Sequence, residues 1–369
     1  MLVVNAGSSS LKLSLLDGSG DETLASRELS APRAVVDADE LRAALGGGDG
    51  LGKADAVGHR IVHGGSQFRS AVVVDSDVRR ALGELVDLAP LHQPKSLAAL
   101  DAVSAALPGV PAVACFDTAF HATLPEAAFT YALPGSWVGR WGVRRFGFHG
   151  LSHAWIARRA PELLGVSVDG LRIVSCHLGA GASLCAIAGG RSVDPTMGFT
   201  PLEGLVMATR SGSVDPGLLL WLLARGDVSA DDMGHALEHE SGLVGLAGTA
   251  DMREVLARAG SGDTVAQLAL DVYLHRLRGL IASMAASLGG LDVLAFTGGV
   301  GENNAEIRAD TDGGLAFLGV SVDPARNASV DGDGEISGAG AAVRTVVIRA
   351  REDLEIARQV RSVLQPSGG

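Results

Sequence analysis

Two segments of the chain share one pattern, in which a turn rich in glycine and serine separates two apolar strands. They are Val3 to Leu16, with the sequence VVNAGSSSLKLSLL, and Ile173 to Ile187, with the sequence IVSCHLGAGASLCAI. The repetition predicts an internal duplication. The length of 369 residues supports this prediction, because a chain of that size exceeds the usual limit for one hydrophobic core and divides into domains.

Short runs of Val, Ile and Leu alternate with helical patterns from end to end, which predicts an α/β fold. We expect strands at residues 1–5, 11–16, 55–62, 111–115, 171–176, 183–188, 292–296 and 343–348. The clearest helix covers residues 264–288, where apolar residues recur at steps of four and three. They are Leu270, Leu274, Leu277, Ile281, Met284 and Leu288. This stripe should be buried against a sheet or a partner subunit.

The charge balance argues against two classes of partner. A formal net charge of −12 disfavours nucleic acid and anionic membranes, because both select basic surfaces.

The longest uncharged stretch, residues 279–291, is too short to span a bilayer. Cys115, Cys176 and Cys185 lack the spacing of disulfides or metal ligands, and no secretory signal is visible at the start. We therefore expect a cytoplasmic protein with no nucleic-acid or membrane partner.

A third glycine-rich turn, Thr297 to Asn304 (TGGVGENN), follows an expected strand and precedes a helix. Such turns suit phosphate binding, because glycine lets backbone N–H groups approach a ligand closely. Each turn taken alone also fits an ordinary hairpin, whereas three at strand ends in one α/β chain favour a nucleotide site. No G-x-x-x-x-G-K-[ST], no G-x-G-x-x-G after a strand and no protein-kinase motif set occurs, so a nucleotide would bind through another fold.

Four segments concentrate polar residues in apolar surroundings. They are residues 58–65 (GHRIVHGG), 116–121 (FDTAFH), 146–153 (FGFHGLSH) and 209–216 (TRSGSVDP). Together they would supply two arginines, an aspartate and a histidine to one cleft, which suits phosphoryl transfer because that chemistry is mostly positioning and charge neutralisation. Other interpretations stay open: an ion pair for Arg60, a helix N-cap for Asp117, and a metal site or a cap for His149 with His153.

These segments resemble the acetate kinase family, within the superfamily of acetate and sugar kinases, heat-shock ATPases and actin. The likeness runs in order from Asn5 to Ala357, and its specific parts are NAGSSSLK, HRIVHGG, LAPLHQP, FDTAFH, FGFHGLSH, HLGAGAS, MGFTPLEG, ATRSG and FTGGVGEN. The resemblance implies duplicated actin-like (ribonuclease H-like) domains around a nucleotide cleft, and usually a homodimer. The first domain would hold residues 1–121 and 355–369, and the second, with the nucleotide-binding segments, residues 122–354.

The resemblance also implies an activity. It is the reversible transfer of the γ-phosphoryl group of ATP to acetate, giving acetyl phosphate and ADP, with Mg2+ as the metal and Mn2+ as an alternative. Asn5 and Glu352 would bind the metal through oxygen atoms. Arg60 and Arg210 would hold the acetate carboxylate and the transferring phosphoryl group, and His149 would donate a hydrogen bond in the transition state. Asp117 would orient Arg60 and the metal.

Two larger sets of residues follow from the same resemblance. The nucleotide-binding positions would be Lys12, His177, Leu178, Gly179, Ala180, Gly181, Asp251, Met252, Arg253, Gly299, Val300, Gly301, Glu302 and Asn303. The substrate would be bound by Arg60 together with an apolar pocket for its methyl group, formed by Val62, Leu91, Phe148 and Pro201.

The sequence departs from the family pattern near the expected chemical centre. Ala180 stands where the family usually has Asn, and Ser66 and Ser213 stand where acidic residues are common. The region from Asp17 to Gly58 is also shorter than in typical members. These departures predict reduced efficiency and leave a weakly active homologue as one alternative. A propionate or butyrate kinase is another, since one methylene in an apolar pocket is worth only about 1–3 kcal/mol. An actin-like ATPase without acyl phosphate chemistry is a third, although hydrolysis needs no arginine clamp for a carboxylate.

Overall fold

The computed structural model of the chain describes residues 1–6, 10–18, 22–30, 38–46, 51–90 and 92–365. Its strands are β1 (Leu2–Ala6), β2 (Ser10–Leu16), β3 (Thr23–Ser30), β4 (Val57–Ile61), β5 (Val72–Val73), β6 (Ala112–Phe116), β7 (Arg172–Leu178), β8 (Ala182–Ala188), β9 (Arg191–Pro195), β10 (Val293–Thr297), β11 (Gly334–Glu335) and β12 (Arg344–Val347).

The α-helices are α1 (Ala38–Gly46), α2 (Ser76–Glu84), α3 (Gln93–Ala106), α4 (Glu126–Phe129), α5 (Gly135–Trp141), α6 (Gly150–Leu164), α7 (Pro216–Arg225), α8 (Ala230–His235), α9 (Gly242–Ala247), α10 (Met252–Gly260), α11 (Thr264–Ser287), α12 (Gly298–Asn303), α13 (Ala305–Gly313), α14 (Pro324–Ser329) and α15 (Glu352–Leu364). Short 3-10 or π segments lie at Leu51–Lys53, Val86–Leu88, Ala119–Thr123, Ala236–Glu240 and Ala316–Leu318.

The chain divides into two compact units. The first unit contains Met1–Ala122, Phe148–Trp155 and Arg351–Gly369, and the second contains Thr123–Gly147 and Ile156–Ala350. The resemblance placed the whole of residues 122–354 in the second domain, so residues 122, 148–155 and 351–354 depart from that expectation. Hydrogen bonds explain the difference: the Gly150 amide donates to the Asp117 carbonyl oxygen at 2.8 Å, and Asn5 donates to the Glu352 carboxylate at 2.9 Å.

The first unit is built on a sheet with the order β3-β2-β1-β4-β6-β5. Strands β1, β4 and β6 are parallel, whereas β2, β3 and β5 pair antiparallel to their neighbours. Side chains alternate between the two faces of a strand, so Val4 of β1 joins a cluster with Val103 of α3, while Val3 joins one with Val360 of α15. Helices thus cover both faces of the sheet and leave the strand ends for polar side chains.

The second unit repeats this plan with the order β11-β12-β10-β7-β8-β9. Strands β7, β8 and β9 form an antiparallel meander like β1, β2 and β3, and β10 and β12 add in parallel as β4 and β6 do. Both β7 and β10 are almost wholly buried, which explains why most of their residues are apolar or small. The expected α/β fold with duplicated actin-like domains is confirmed.

The expected strands are all present, with ends shifted by at most two residues, and the expected long helix is α11. Its predicted stripe is buried from Leu270 to Met284, and Leu288 follows the last helical turn as the C-cap. Strands β3, β5, β9 and β11 were not expected. Within the described residues, no helix combines the length and apolarity that a bilayer crossing requires.

Candidate active site

A cluster of polar side chains lies where the parallel strands of the first unit end. Asn5 comes from β1, Arg60 from β4, Asp117 directly follows β6, and Glu352 begins α15. Arg60 donates from Nε to Asp117 Oδ1 and Oδ2 at 3.1 and 3.0 Å, and from Nη2 to Oδ2 at 2.7 Å. These residues meet because the carboxyl ends of neighbouring parallel strands share one edge of the sheet. We call Asn5, Arg60, Asp117 and Glu352 the Arg60 cluster.

The remaining contacts of Arg60 leave part of its guanidinium available to a ligand. Nη1 donates to Asn5 Oδ1 at 3.1 Å and lies 3.5 Å from Glu352 Oε2. Arginine has five N–H groups, and these bonds engage the one on Nε and one on each Nη. One N–H on each Nη therefore has no hydrogen-bond partner in the described part of the chain, and 16% of the side chain is exposed. Two such groups can bind a carboxylate or a phosphoryl group together.

Burial and pairing shift the acid–base properties of the cluster. Burial lowers the pKa of Arg60, but attraction to Asp117 and Glu352 more than reverses this effect and raises the pKa above its ordinary value. Burial raises the pKa of the Asp117 carboxyl to about 6, against the opposing pull of Arg60. The guanidinium therefore keeps its charge, and it opposes protonation of its carboxylate partner.

The segment with His149 is held beside Asp117 in the first unit. His149 has a φ of 54°, a left-handed conformation that costs a non-glycine residue about 1–3 kcal/mol and occurs most often at functional sites. The bond from Gly150 to the Asp117 carbonyl oxygen anchors the following residue. On the preceding side, a ring nitrogen of His121 contacts the Phe148 carbonyl oxygen at 3.0 Å. Anchors on both sides fix the backbone of His149.

The structure describes three of the four residues expected to form the methyl pocket, and these three are divided between the two units. Val62 and Phe148 are both buried in the first unit, where the ring of Phe148 makes an edge contact with His63. Pro201 is buried in the second unit. Leu91 lies outside the described residues. The first unit therefore provides two apolar side chains, Val62 next to the end of β4 and Phe148 next to His149.

Arg210 is mostly buried and bonds to other residues of the second unit. Its Nε is 3.0 Å from Glu238 Oε2, and Nη1 donates to the Pro201 carbonyl oxygen at 3.2 Å. Burial lowers the pKa of Arg210, although Glu238 counteracts this effect. Since Pro201 contacts Arg210 directly, these two expected substrate residues form one local structure.

A pocket of about 520 Å3 lies in the second unit, at the carboxyl ends of β7 and β10. Its walls combine small residues of the glycine-rich turns with residues from the starts of helices. It is lined by Gly179, Ala180, Ala208, Leu243, Ala250, Asp251, Met252, Arg253, Tyr273, Gly299, Val300, Asn303 and Asn304. We call it the α12 pocket. Its size suits a small molecule such as a nucleotide.

Eight of the expected nucleotide-binding residues line the α12 pocket, and the others do not. Those outside its lining are Lys12, His177, Leu178, Gly181, Gly301 and Glu302. Lys12 is exposed on β2 of the first unit, opposite Asn5 in the strand register. Glu302 fixes the backbone instead: its Oε1 accepts from the Gly298 amide at 2.8 Å and from the Ala350 amide at 2.9 Å. Its geometry is that of a positioning residue.

Sequence reasoning did not find Arg308 or Tyr273. Arg308 is buried beneath the end of α12, where Nη1 donates to the carbonyl oxygens of Gly301 and Glu302 at 2.9 and 2.8 Å. Its other bonds go to Asn327, so the described residues give this buried cation only neutral partners. The buried hydroxyl of Tyr273 has no hydrogen-bond partner among the described residues. Neither residue belongs to a glycine-rich motif, so only their placement in the fold reveals them.

Glu352 and Asn5, the two residues expected to bind Mg2+, lie together in the Arg60 cluster. Asn5 Nδ2 donates to Glu352 Oε2 at 2.9 Å, and Asn5 Oδ1 accepts from Arg60 Nη1 at 3.1 Å. The Glu352 carboxylate is a hard oxygen ligand of the kind that Mg2+ prefers, and Asn5 would add a second one if its amide turned its oxygen toward the ion. Among the described residues, no group of three or more His, Cys, Asp or Glu side chains is arranged to hold a metal. A cation bound with few protein ligands takes the remainder from water and substrate phosphates, which is the usual habit of Mg2+.

Comparison with known proteins identifies the family. A sequence model of the Acetokinase family matches residues 39–358. This chain belongs to the acetokinase family. The resemblance seen in the sequence motifs is therefore confirmed, and members of this family are ATP-using kinases.

Individual acetokinase relatives match almost from end to end. The acetate kinase of Deinococcus deserti is 44% identical, over 100% of this chain and 98% of that protein. The crystal structure of Porphyromonas gingivalis acetate kinase is similar with a TM-score of 0.90 and 35% identity, covering 99% of both chains. A propionate kinase from Francisella tularensis subsp. tularensis has a TM-score of 0.89 and 33% identity, covering 97% of this chain and 98% of that one.

Proposed function

We propose that this protein transfers the γ-phosphoryl group of ATP to acetate, reversibly, giving acetyl phosphate and ADP. The observation that carries the proposal is the full-length similarity to acetate kinases in a chain that retains the Arg60 cluster. Arg60 is held rigidly by Asp117 and keeps one N–H group on each Nη for a ligand. In an ATPase the same fork would hold only the γ-phosphoryl group, so detection of an acyl phosphate product separates the two activities.

The chemistry needs little acid–base assistance. An acetate oxygen attacks the γ-phosphorus, and the bond from that phosphorus to the oxygen bridging to the β-phosphate breaks. Acetate is already ionised at neutral pH and brings no proton to remove. The protein's task is therefore to position both substrates and to neutralise charge on the transferring group. We assign this task to Arg60, Arg210 and His149, with Asp117 orienting Arg60, and nucleotide binding to the α12 pocket.

We further propose Mg2+ as the metal, with Mn2+ as an alternative, held by Asn5 and Glu352. When bound, the ion would neutralise charge on the phosphate oxygens. Removal of divalent cations with EDTA should abolish turnover, and Mg2+ or Mn2+ should restore it. Metal-independent turnover would contradict this assignment.

Trapping of the product with hydroxylamine tests the activity directly. Incubation with ATP, Mg2+ and acetate should yield acetyl hydroxamate in an amount that matches the ADP formed. The same assay should be run with propionate and butyrate, because the Francisella neighbour is a propionate kinase. ADP release without hydroxamate would indicate the ATPase alternative. A higher kcat/KM for propionate than for acetate would identify propionate as the preferred substrate.

We propose that the protein is a cytoplasmic homodimer that associates through α7. None of the residues of α7 is buried, and Leu218, Leu220 and Trp221 are 45%, 68% and 56% exposed. An exposed apolar helix face of this kind is typical of an interface between subunits. Light scattering should report a dimer that Leu220→Glu dissociates, whereas Leu24→Glu, at a 59% exposed site of the first unit, should leave the dimer intact.

Three buried free thiols and the ATP substrate support a reducing, intracellular compartment.

A further inference from the structure

The first unit contains a second cavity, apart from the Arg60 cluster, with a volume of about 360 Å3. We call it the α15 pocket. Glu355, Arg358 and Ser362 of α15 form one side, and Arg69, Phe120 and Ala154 contribute to the others. None of the four residues of the Arg60 cluster lines it. The activity proposed above therefore gives this cavity no role.

Charged side chains give the α15 pocket a local excess of positive charge. Glu355 is fully buried and forms a two-pronged ion pair with Arg358, at 3.1 Å from Nε to Oε2 and 2.7 Å from Nη2 to Oε1. The carboxylate of Glu355 thus balances the charge of Arg358. Arg69 donates from Nη2 to the Ala122 carbonyl oxygen at 2.6 Å and has no carboxylate partner in the described part of the chain. A net positive pocket on a chain of charge −12 favours an anion.

Gln359 adds a second observation that points to the chemistry of the ligand. Its Nε2 donates to Glu355 Oε1 at 2.9 Å, which fixes the orientation of the amide. Its Oε1 is buried and receives no hydrogen bond from any described residue. A buried acceptor without a donor costs about 1–3 kcal/mol, so a ligand hydroxyl that reached Gln359 Oε1 would remove this cost. Hydrogen phosphate combines an anionic oxygen for Arg69 with an O–H for Gln359.

Serine hydroxyls complete a polar wall that matches the same chemistry. Ser70 and Ser362 both line the pocket, and a hydroxyl can donate to a phosphate oxygen as well as accept from its O–H. Arginine is the side chain best suited to phosphate, because its planar fork contacts two oxygens. The cavity is also larger than a phosphate ion, so an organic group attached to the phosphate would fit.

We propose that the α15 pocket is a binding site for a phosphate group, either as inorganic phosphate or as the end of a small phosphate monoester, and that Arg69 is its anchoring residue. This site is distinct from the one that transfers the phosphoryl group of ATP. Its occupant contacts α15, the helix that begins with Glu352.

Calorimetric titration of the full chain with inorganic phosphate, and separately with β-glycerophosphate, tests the proposal. The variant Arg69→Gln removes the positive charge, and Arg80→Gln is its matched control, because Arg80 is a 70% exposed arginine of the same unit with an ion pair to Asp77. Wild type and Arg80→Gln should bind phosphate equally, and Arg69→Gln about tenfold more weakly or not at all. Ser362→Leu, which fills the pocket without changing charge, should have the same effect as Arg69→Gln.

The two titrants separate the two sources of phosphate. Tighter binding of β-glycerophosphate than of phosphate supports a monoester as the natural ligand, and tighter binding of phosphate supports the inorganic ion. Equal phosphate affinity in wild type and Arg69→Gln, or no binding by wild type, would overturn the proposal. Circular dichroism and ADP titration serve as folding controls, so the outcome can be read even if the protein does not phosphorylate acetate.

Discussion

The candidate sites of the two units use different parts of the polypeptide. In the first unit, polar side chains at the ends of three neighbouring strands and at the start of one helix form the Arg60 cluster: an amide, an arginine and two carboxylates. In the second, the α12 pocket is formed largely by short side chains and the backbone of glycine-rich turns. The same sheet order therefore supports two chemistries: one depends on which side chain a strand end carries, and the other on the absence of side chains.

The difference predicts where each unit is sensitive to substitution. A change in the first unit should act on the rate of phosphoryl transfer, because it removes a charge from the reacting groups. A change in the α12 pocket of the second unit should act on nucleotide affinity, because it blocks or misplaces backbone groups. The following predictions test this division.

The largest effect is expected for Arg60→Lys. Lysine keeps the charge but cannot pair with Asp117 through two nitrogens while offering two more N–H groups to a ligand. Loss of one such transition-state contact costs about 100-fold or more in kcat, and steady-state hydroxamate assays would measure it. Arg80→Lys is the control and should keep the wild-type rate. Circular dichroism should show that both variants keep the wild-type fold. A near-normal kcat for Arg60→Lys would mean that the Arg60 cluster is not the reaction site.

A smaller effect, about tenfold on the KM for ATP, is expected for Gly298→Ala. Gly298 has a φ of +78°, and a Cβ there would lie 2.7 Å from the Leu178 carbonyl oxygen. Both the conformation and the contact force the start of α12 to move. Gly313→Ala is the matched control, since a Cβ at that position meets no atom within 4 Å. Equal KM values for the two variants would show that the α12 turn does not position the nucleotide.

Acid should destabilise the first unit before the second. Burial lowers the pKa of His59, His63 and His121 to about 4. Between pH 6.5 and 4 the unfolded state therefore binds protons that these native side chains do not, and the free energy of unfolding decreases as the pH falls through that range. The raised pKa of Asp117 has the opposite effect, because the native carboxyl takes up a proton before the unfolded one does, but Asp117 is one group against three histidines. Hydrogen exchange at pH 7 and pH 4.5 should show protection lost first in β4 and β6; earlier loss in β7 and β10 would contradict this.

The smallest effect is expected for Ala180→Asn. Ala180 lines the α12 pocket and is exposed, so an amide can enter without displacing the core. A hydrogen bond to a phosphate is worth about 1.5–3 kcal/mol before desolvation and side-chain ordering reduce it, so a few-fold lower KM for ATP or higher kcat is expected. Parallel losses of activity and ATP affinity would mean that the turn has adapted to alanine.

Sequence alone predicted those parts of the fold whose residues carry a strong local pattern. The helix α11 was found because its apolar stripe repeats over many turns, and β7 and β10 because both faces are buried. The strand β3 was missed because most of its residues are exposed and polar, as the outer position in the sheet allows. The two residues of β11 are too few to produce a pattern.

For the candidate site, sequence predicted residue types better than their contacts. The family motifs named Arg60 and Asp117, but their bond joins residues 57 positions apart and depends on the parallel pairing of β4 with β6. The attachment of residues 148–155 to the first unit rests on backbone bonds that carry no sequence signal. Arg308 is recognisable only once α12 and α14 are seen to pack around it.

Direct titration of ADP against wild type and Arg60→Lys tests the central claim, that the α12 pocket binds the nucleotide and the Arg60 cluster serves phosphoryl transfer. The account predicts that the Kd for ADP stays within about twofold of the wild-type value in a variant whose kcat has fallen about 100-fold. If the affinity for ADP instead falls in parallel with kcat, Arg60 is part of the nucleotide site, and the division of tasks between the Arg60 cluster and the α12 pocket is wrong.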